Sequence, residues 1–257
     1  MTVNKETLIH GFSGFLSQGM RILVHSSLSS FGKVEGGALS VITALEEVIT
    51  PEGLIMMPAF TYGRDVFEPL KSPSHTGLIS EEFRRGEGVK RSMHPTHSVC
   101  AWGKRADDFL NGHQVEAPFS LGTPIHKLAL ENGFILLLGV GQEANSLMHV
   151  AQELAGVPYL DRSKLVKATV NARELEVKAR RAGCSLGFGK AEAMLERENL
   201  VHYYKIGDSV IRFMLAKPVL ESLAAVFKKD PLIFICDNAN CFACNEAKEL
   251  TKAVKNG

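Results

Sequence analysis

The sequence predicts an α/β protein, a single domain with a central mixed β-sheet flanked by helices. Helical and strand patterns alternate through the first 160 residues, which is the signature of helices packed on a sheet. The most apolar runs are short and bounded by Gly, Ser or Pro, as buried strands are. Alternating, charged, hairpin-like segments appear only later, so parallel and antiparallel strands should share the sheet. At 257 residues the chain allows one large domain or two small ones. One domain of this mass buries about 70–75% of its surface, so no disulfide or metal staple is needed for stability.

The elements follow in chain order. Leu8, Phe12, Phe15 and Leu16 recur at helical spacing, so residues 1 to about 19 read as a helix ended by Gly19. Arg21 to His25 is an apolar run closed by Ser26-Ser27, a buried strand; Leu39 to Ile49 is a helix stopped by Thr50-Pro51-Glu52-Gly53. Leu54 to Pro58 is the next strand. From Thr61 to Met93 periodicity fades, apart from a short helix at Ser80 to Arg85, and a stretch of that kind in a compact domain is a binding loop. Ser98 to Trp102 reads as a strand, Arg105 to Asn111 and Pro124 to Asn132 as helices, and Gly133 as a C-cap. Phe134 to Val140 is the most apolar strand and belongs inside the sheet. A charged hairpin is expected over residues 164–181, a helix near Ala191 to Glu198, a strand from Ser209 to Leu215, a helix from Pro218 to Lys229 and a last strand at Leu232 to Cys236.

Charge narrows the partners. Lys and Arg number 29 against 28 Asp and Glu, a formal net charge of +1, which argues against a phosphate-tracking groove for nucleic acid and against a polybasic membrane anchor. Residues 134–141 form the longest apolar run, far short of a membrane span. The polar opening Met1-Thr2-Val3-Asn4-Lys5-Glu6 carries no signal-peptide pattern, so a cytoplasmic chain with reduced cysteines is expected.

Four segments could carry chemistry. His25-Ser-Ser-Leu28 with Gly32 and Gly36-Gly37 follows a buried strand, at the sheet edge where α/β folds bind ligands. It lacks the spacing of either phosphate-binding glycine motif, so a plain strand-to-helix turn is the competing reading. In Arg91-Ser-Met-His94-Pro-Thr-His97-Ser98 the proline keeps the two histidines off a shared helical face. A loop histidine bonding backbone is the bland reading there, weighted toward His97. In Gly139-Val-Gly-Gln-Glu-Ala-Asn145-Ser146-Leu-Met-His149, Asn145 or Ser146 can cap a helix whose first turn holds His149. A helix N-terminus disfavours the imidazolium, and Gln152 and Glu153 at i+3 and i+4 can orient the ring, giving a general base with its orienter. Cys236-x4-Cys241-x2-Cys244 could bind a metal, but its fourth ligand would have to come from Cys100, Cys184 or a histidine; structural thiols are the first reading and a zinc or redox role the second.

Together these segments resemble the aminoglycoside 3-N-acetyltransferase family. The resemblance is carried by Val24-His-Ser-Ser-Leu28 with Gly32-x-Val-x-Gly-Gly37, Met57-Pro-Ala-Phe-Thr61, Gly77-x-Ile-Ser-Glu81, Arg91-Ser-x-His-Pro-x-x-Ser98, Thr123-Pro124 with Lys127-Leu128, Leu136-Leu-Leu-Gly-Val140 and Asn145-Ser-x-x-His149. It covers residues 21–160 and is loose beyond. It implies acetyl-coenzyme A as donor and an amino group of an aminoglycoside or related amino sugar as acceptor, both small molecules, with a homodimer among the assemblies allowed. It also implies coenzyme A contacts from Ser26, Ser27, Leu28 and Ser98, and acceptor contacts from Glu68 and His94. His149 becomes the general base, supported by Gln152 and Glu153, and the reaction itself needs no metal. Oxyanion donors are expected from backbone N–H groups near the glycine turn or Ser27. Two positions depart from the family: Gln152 stands where Glu is usual, and Glu68 where Asp is more frequent. The alternative reading is a non-catalytic, redox or metal-binding relative using the cysteine cluster. A serine hydrolase ranks third, because no G-x-S-x-G elbow is present.

Overall fold

The computed structural model describes residues 2–62, 66–113, 118–160, 163–170, 173–180 and 182–256. In chain order the elements are β1 (Thr2–Val3), α1 (Lys5–Ser13), β2 (Arg21–Ser26), β3 (Lys33–Val34), α2 (Gly37–Ile49), β4 (Leu54–Pro58), β5 (Val66–Phe67), α3 (Leu78–Arg84), β6 (Lys90–Arg91), β7 (Val99–Gly103), α4 (Ala106–Leu110) and α5 (Pro124–Leu130). They continue with β8 (Phe134–Leu138), α6 (Leu147–Ala155), β9 (Ser163–Val170), β10 (Arg173–Arg180), α7 (Glu192–Arg197), β11 (His202–Ile206), β12 (Ser209–Leu215), α8 (Ala216–Lys229) and α9 (Phe242–Asn256).

Seven strands form the main sheet in the order β11-β12-β8-β2-β4-β7-β6. Its centre, β8-β2-β4, is parallel, and antiparallel pairs extend it on both sides, so the sheet is mixed as expected. Alternate residues of β2 serve two layers. Ile22 and Val24 pack under α1, α2 and α3 with Phe12, Val41, Leu45 and Phe83. Leu23 faces α4, α5, α6 and α8 with Phe109, Leu128, Val150 and Phe227. Helices on both faces explain why β4 is buried at every position and reads as a continuous apolar run. The charged hairpin β9-β10 stands apart and adds β5 to make a second, three-stranded sheet.

Several expectations change. The first helix is shorter than its apolar spacing suggests, because Thr2–Val3 pairs with β3 instead and Asn4 caps α1 by accepting from the Thr7 N–H. At the end of α5 it is Asn132, at φ 53°, that takes the left-handed position. Gly133 follows it, donating to the Leu128 carbonyl at 2.8 Å, in a Schellman arrangement. Leu232 to Cys236 forms successive turns rather than a strand; its apolar residues are explained by packing, with the Phe234 ring meeting Phe227 edge-on at 5.3 Å. Beyond it α9, unforeseen from the sequence, runs to Asn256.

Candidate active site

The carboxyl ends of β2, β4 and β8 open onto a cavity of about 700 Å³, within the range of small-molecule sites. Val24, His25 and Ser26 line it from β2, Pro58 from β4, and Glu143, Ser146 and His149 from the chain after β8.

His149 occupies the first turn of α6 and is 9% exposed. Its ring stacks on Phe119 at 4.8 Å and meets the Phe188 ring at 4.9 Å. Its Nδ1 lies 2.9 Å from Gln152 Oε1. The polarity of that bond can be worked out from its far end. The Pro231 carbonyl can only accept, so the Tyr159 hydroxyl donates to it at 2.6 Å. The Tyr159 oxygen then accepts from Gln152 Nε2 at 3.1 Å, which turns Oε1 toward the imidazole. Oε1 has no proton to give, so Nδ1 carries the hydrogen and Nε2 keeps its lone pair. Burial pushes the ring's pKa down to about 4, and the Gln152 bond pulls it back only in part. The imidazole is therefore neutral at pH 7, and burial rather than the helix terminus is the main cause. Gln152 meets the ring, whereas Glu153 is half exposed one position further round the helix.

The helix carrying His149 is held from behind. Asn145, not Ser146, supplies the side-chain cap, accepting from the Leu147 N–H at 3.1 Å while its amide donates to Gln142 Oε1 at 2.8 Å. Gln142 in turn donates to Glu192, which pairs with Arg212. On the sheet side, His25 Nε2 accepts from the Ser146 N–H at 3.4 Å, and burial lowers its pKa to about 3. A second histidine thus faces the cavity in its neutral form.

Ser26 also borders a groove of about 520 Å³ that runs past Ser27, Leu28, Gly32, Val34 and Leu78. Cavity and groove therefore meet at the end of β2. The Ser27 N–H is already used, donating to the Leu138 carbonyl at 2.9 Å, so it is not the oxyanion donor expected for it.

Three expected contacts lie away from both spaces. Ser98 is fully buried, donating to the Ala59 carbonyl and accepting from Arg91 Nε, each at 2.8 Å. Arg91 places its other donors on Pro69, Ser72, Ala59 and Thr61, so all five guanidinium N–H groups are satisfied. The Arg91-to-Ser98 motif thus staples the loop behind Phe60 and Tyr62, which line the cavity. His94 is also fully buried, its Nδ1 accepting from the His97 N–H at 3.0 Å. The two histidines exchange the roles the sequence suggested: His94 is the backbone-bonding one and His97 lines the cavity. Glu68 pairs with Lys71 at 2.7 Å outside it. Of the acidic residues that the loop offers, Glu81 is engaged by Arg84 and Arg85, which hold its carboxyl down to about 2, and Asp65 lies outside the described residues.

Among the described residues the carboxylate that lines the cavity is Glu143, whose Oε1 accepts from the Gly141 N–H at 2.9 Å. Sequence reading passed over it, along with His25, His97, Phe119 and Tyr159 as site residues. His25 lay inside a motif already singled out, and Glu143 followed the strand most clearly at the sheet edge. Tyr159 carried no local signal, because it acts only through Gln152.

Comparison with known proteins agrees with this architecture. A family profile described as "Aminoglycoside 3-N-acetyltransferase" matches residues 23–228. Aminoglycoside N(3)-acetyltransferase IV from Salmonella sp is 29% identical over 231 residues, 86% of this chain and 85% of that protein. The crystal structure of the aminoglycoside acetyltransferase AAC(3)-IVa apoenzyme superposes with a TM-score of 0.88 at 28% identity, covering 97% of this chain and 98% of that one. A form of that enzyme with one histidine replaced by alanine is known in complex with a gentamicin. The fold is shared by AAC-IIIb, solved with CoASH, at a TM-score of 0.83 and 20% identity over 89% of this chain and 97% of that one.

Proposed function

This chain belongs to the aminoglycoside 3-N-acetyltransferase family and is an acyltransferase of that kind; from this premise we propose that it moves an acetyl group from acetyl-coenzyme A to an amine of an aminoglycoside or related amino sugar, with His149 as general base. The observation that carries the assignment of the base is the relay from Pro231 through Tyr159 and Gln152, which sets the proton of the buried, neutral His149 on Nδ1 and leaves Nε2 as its proton acceptor. An ammonium has no lone pair, so a proton must leave before or during attack on the thioester. One ammonium proton passes to Nε2 as the amine nitrogen bonds to the carbonyl carbon; the second leaves the nitrogen for the departing thiolate as the tetrahedral intermediate collapses and the carbon–sulfur bond breaks. His149 then releases its proton to water. Acetyl-coenzyme A lies along the groove of Ser26, Ser27 and Leu28, so that its thioester enters the cavity at the end of β2. The exposed carboxylate of Glu143 faces the cationic acceptor. The coenzyme and gentamicin bound by the two related enzymes support this choice of substrates.

The test is thiol release from acetyl-coenzyme A in the presence of an aminoglycoside panel. One or more members should be acetylated, and His149→Ala should lower kcat by at least about 10²-fold, the lower end for a general base. Full activity in that variant removes His149 from the role, and absence of coenzyme A binding by calorimetry removes the transferase reading.

A further inference from the structure

Three stretches of chain that share no regular secondary structure bring four thiols together behind the cavity. Cys184 follows the second sheet, Cys236 ends the turns after α8, and Cys241 and Cys244 sit at the start of α9, the first just before it and the second in its first turn. Their four Sγ atoms lie within 4.8 Å of one another, and Cys236 and Cys244 are 3.5 Å apart. A tetrahedron of sulfurs around zinc, at about 2.3 Å per Zn–S bond, has edges of roughly 3.8 Å. An iron–sulfur cubane needs its cysteines farther apart. We propose that Cys184, Cys236, Cys241 and Cys244 form a structural tetrathiolate zinc site.

The surroundings are built for that closeness. Gly187 lets residues 184–187 press on the turn below: a Cβ there would lie 2.3 Å from the Phe234 carbonyl oxygen and 2.5 Å from that of Ile235. Lys190 ties the same two segments, donating to the Ile235 carbonyl at 2.9 Å and to Asp237. The loop into α9 is fixed by Asn245, which donates to the Ala239 carbonyl, and by the Cys241 N–H on the Asn238 carbonyl. The Cys236 N–H points at Cys244 Sγ at 3.4 Å, the kind of backbone donor that supports a metal-bound thiolate. Cys241 and Cys244 also stand at the N-terminal end of a 15-residue helix, which holds the two thiols one turn apart. Cys184 and Cys241 are partly exposed, so the group is not simply an apolar core filled by thiols. Cys100, the fifth cysteine, is buried in β7 and takes no part.

The site would do more than close the C-terminus. Ala182, Gly183 and Ser185 line the cavity on either side of Cys184. A space of about 20 Å³ between the cluster and the relay is bordered by Cys184, Cys244, Tyr159 and Gln152. Zinc would thus fix one wall of the acceptor cavity and brace the segment whose Pro231 carbonyl sets the orientation of Gln152.

The decisive experiment is metal analysis of the whole chain, purified untagged with a reductant and without chelator. About one zinc per chain is expected, and none in Cys184→Ser or Cys241→Ser. Replacing zinc with Co²⁺ in the unaltered chain gives a reading independent of variant folding: intense thiolate-to-cobalt charge transfer and tetrahedral d–d bands are expected. A metal-free chain that takes up neither Zn²⁺ nor Co²⁺, a stoichiometric iron content, or a Cys236–Cys244 disulfide under reducing purification would each overturn the proposal. None of these readouts depends on acetyl transfer.

Discussion

Replacing Gln152 with Glu sets a negative charge against the His149 ring that the amide only orients, and the consequence can be sized. Burial lowers the His149 pKa from 6.5 to about 4, a loss of roughly 3 kcal/mol for the imidazolium at 1.36 kcal/mol per unit. Gln152 Oε1 is 2.9 Å from Nδ1, which places a carboxylate charge roughly 4 Å from the ring centre. At an effective dielectric near 20 that charge is worth about 4 kcal/mol to the imidazolium, enough to cancel the loss from burial. The acid limb of the pH–rate profile should therefore move up toward or beyond 6.5, with a higher kcat on the neutral side because the protonated ring is stabilised in the transition state. A carboxylate-to-amide change in a Ser-His-Asp triad costs about 10⁴ in rate, which bounds the gain from above. The variant also has a cost. Tyr159 must now turn its hydroxyl to the carboxylate, leaving the Pro231 carbonyl unpartnered, a loss of about 1–3 kcal/mol in stability. Nitrogen NMR of the histidine ring reads tautomer and pKa together, alongside thiol release across pH. An unaltered protein whose His149 titrates near 6.5, or carries its proton on Nε2, refutes the relay; so does a Gln152→Glu variant whose ring does not move.

Further outcomes follow from the same geometry. Glu143→Gln should raise KM for a cationic amine by roughly fivefold, about 1 kcal/mol for an exposed charge, with kcat little changed; steady-state kinetics with charged and less charged acceptors checks it. Ser98→Ala removes the acceptor of Arg91 Nε and should cost about 1–3 kcal/mol in urea unfolding while KM for acetyl-coenzyme A stays the same. A raised KM with unchanged stability would instead return Ser98 to the coenzyme site. His25, His113 and His149 are held by burial at about 3, 4 and 4, below the ordinary 6.5. Below pH 6.5 the unfolded chain takes up protons that the folded one refuses, so their contribution is intact above 6.5 and is lost as pH falls toward 4. Each removes up to about 1.4 kcal/mol per pH unit, and the melting temperature should drop steeply from pH 6.5 to 5 by calorimetry. A flat profile there would show that these rings are not buried neutral.

Sequence and structure divide the account along a physical line. Periodicity, turn residues and apolar runs are local quantities, and they located β2, α2, β4, β7, β8, β12 and α8 closely, because each of these buries its pattern against one neighbour or two. The short strands β5 and β6 were missed because two residues have no period, and β11 because four of its five residues are exposed. Leu232 to Cys236 misled because an apolar run records burial, not the conformation that achieves it. At the site, His149 and Gln152 were legible since i and i+3 on a helix must meet. Ser98 and His94 were legible as a motif but not as a role: the same residues serve a cavity or a hidden staple, and only the path of Arg91 tells which. By itself the sequence determined the central strands of the sheet, its mixed character and the helix that carries His149. The tertiary structure decided which nitrogen of His149 carries the proton and where Cys184 goes, since a carbonyl 82 residues beyond His149 and a thiol 52 residues before Cys236 are brought to those places only by folding.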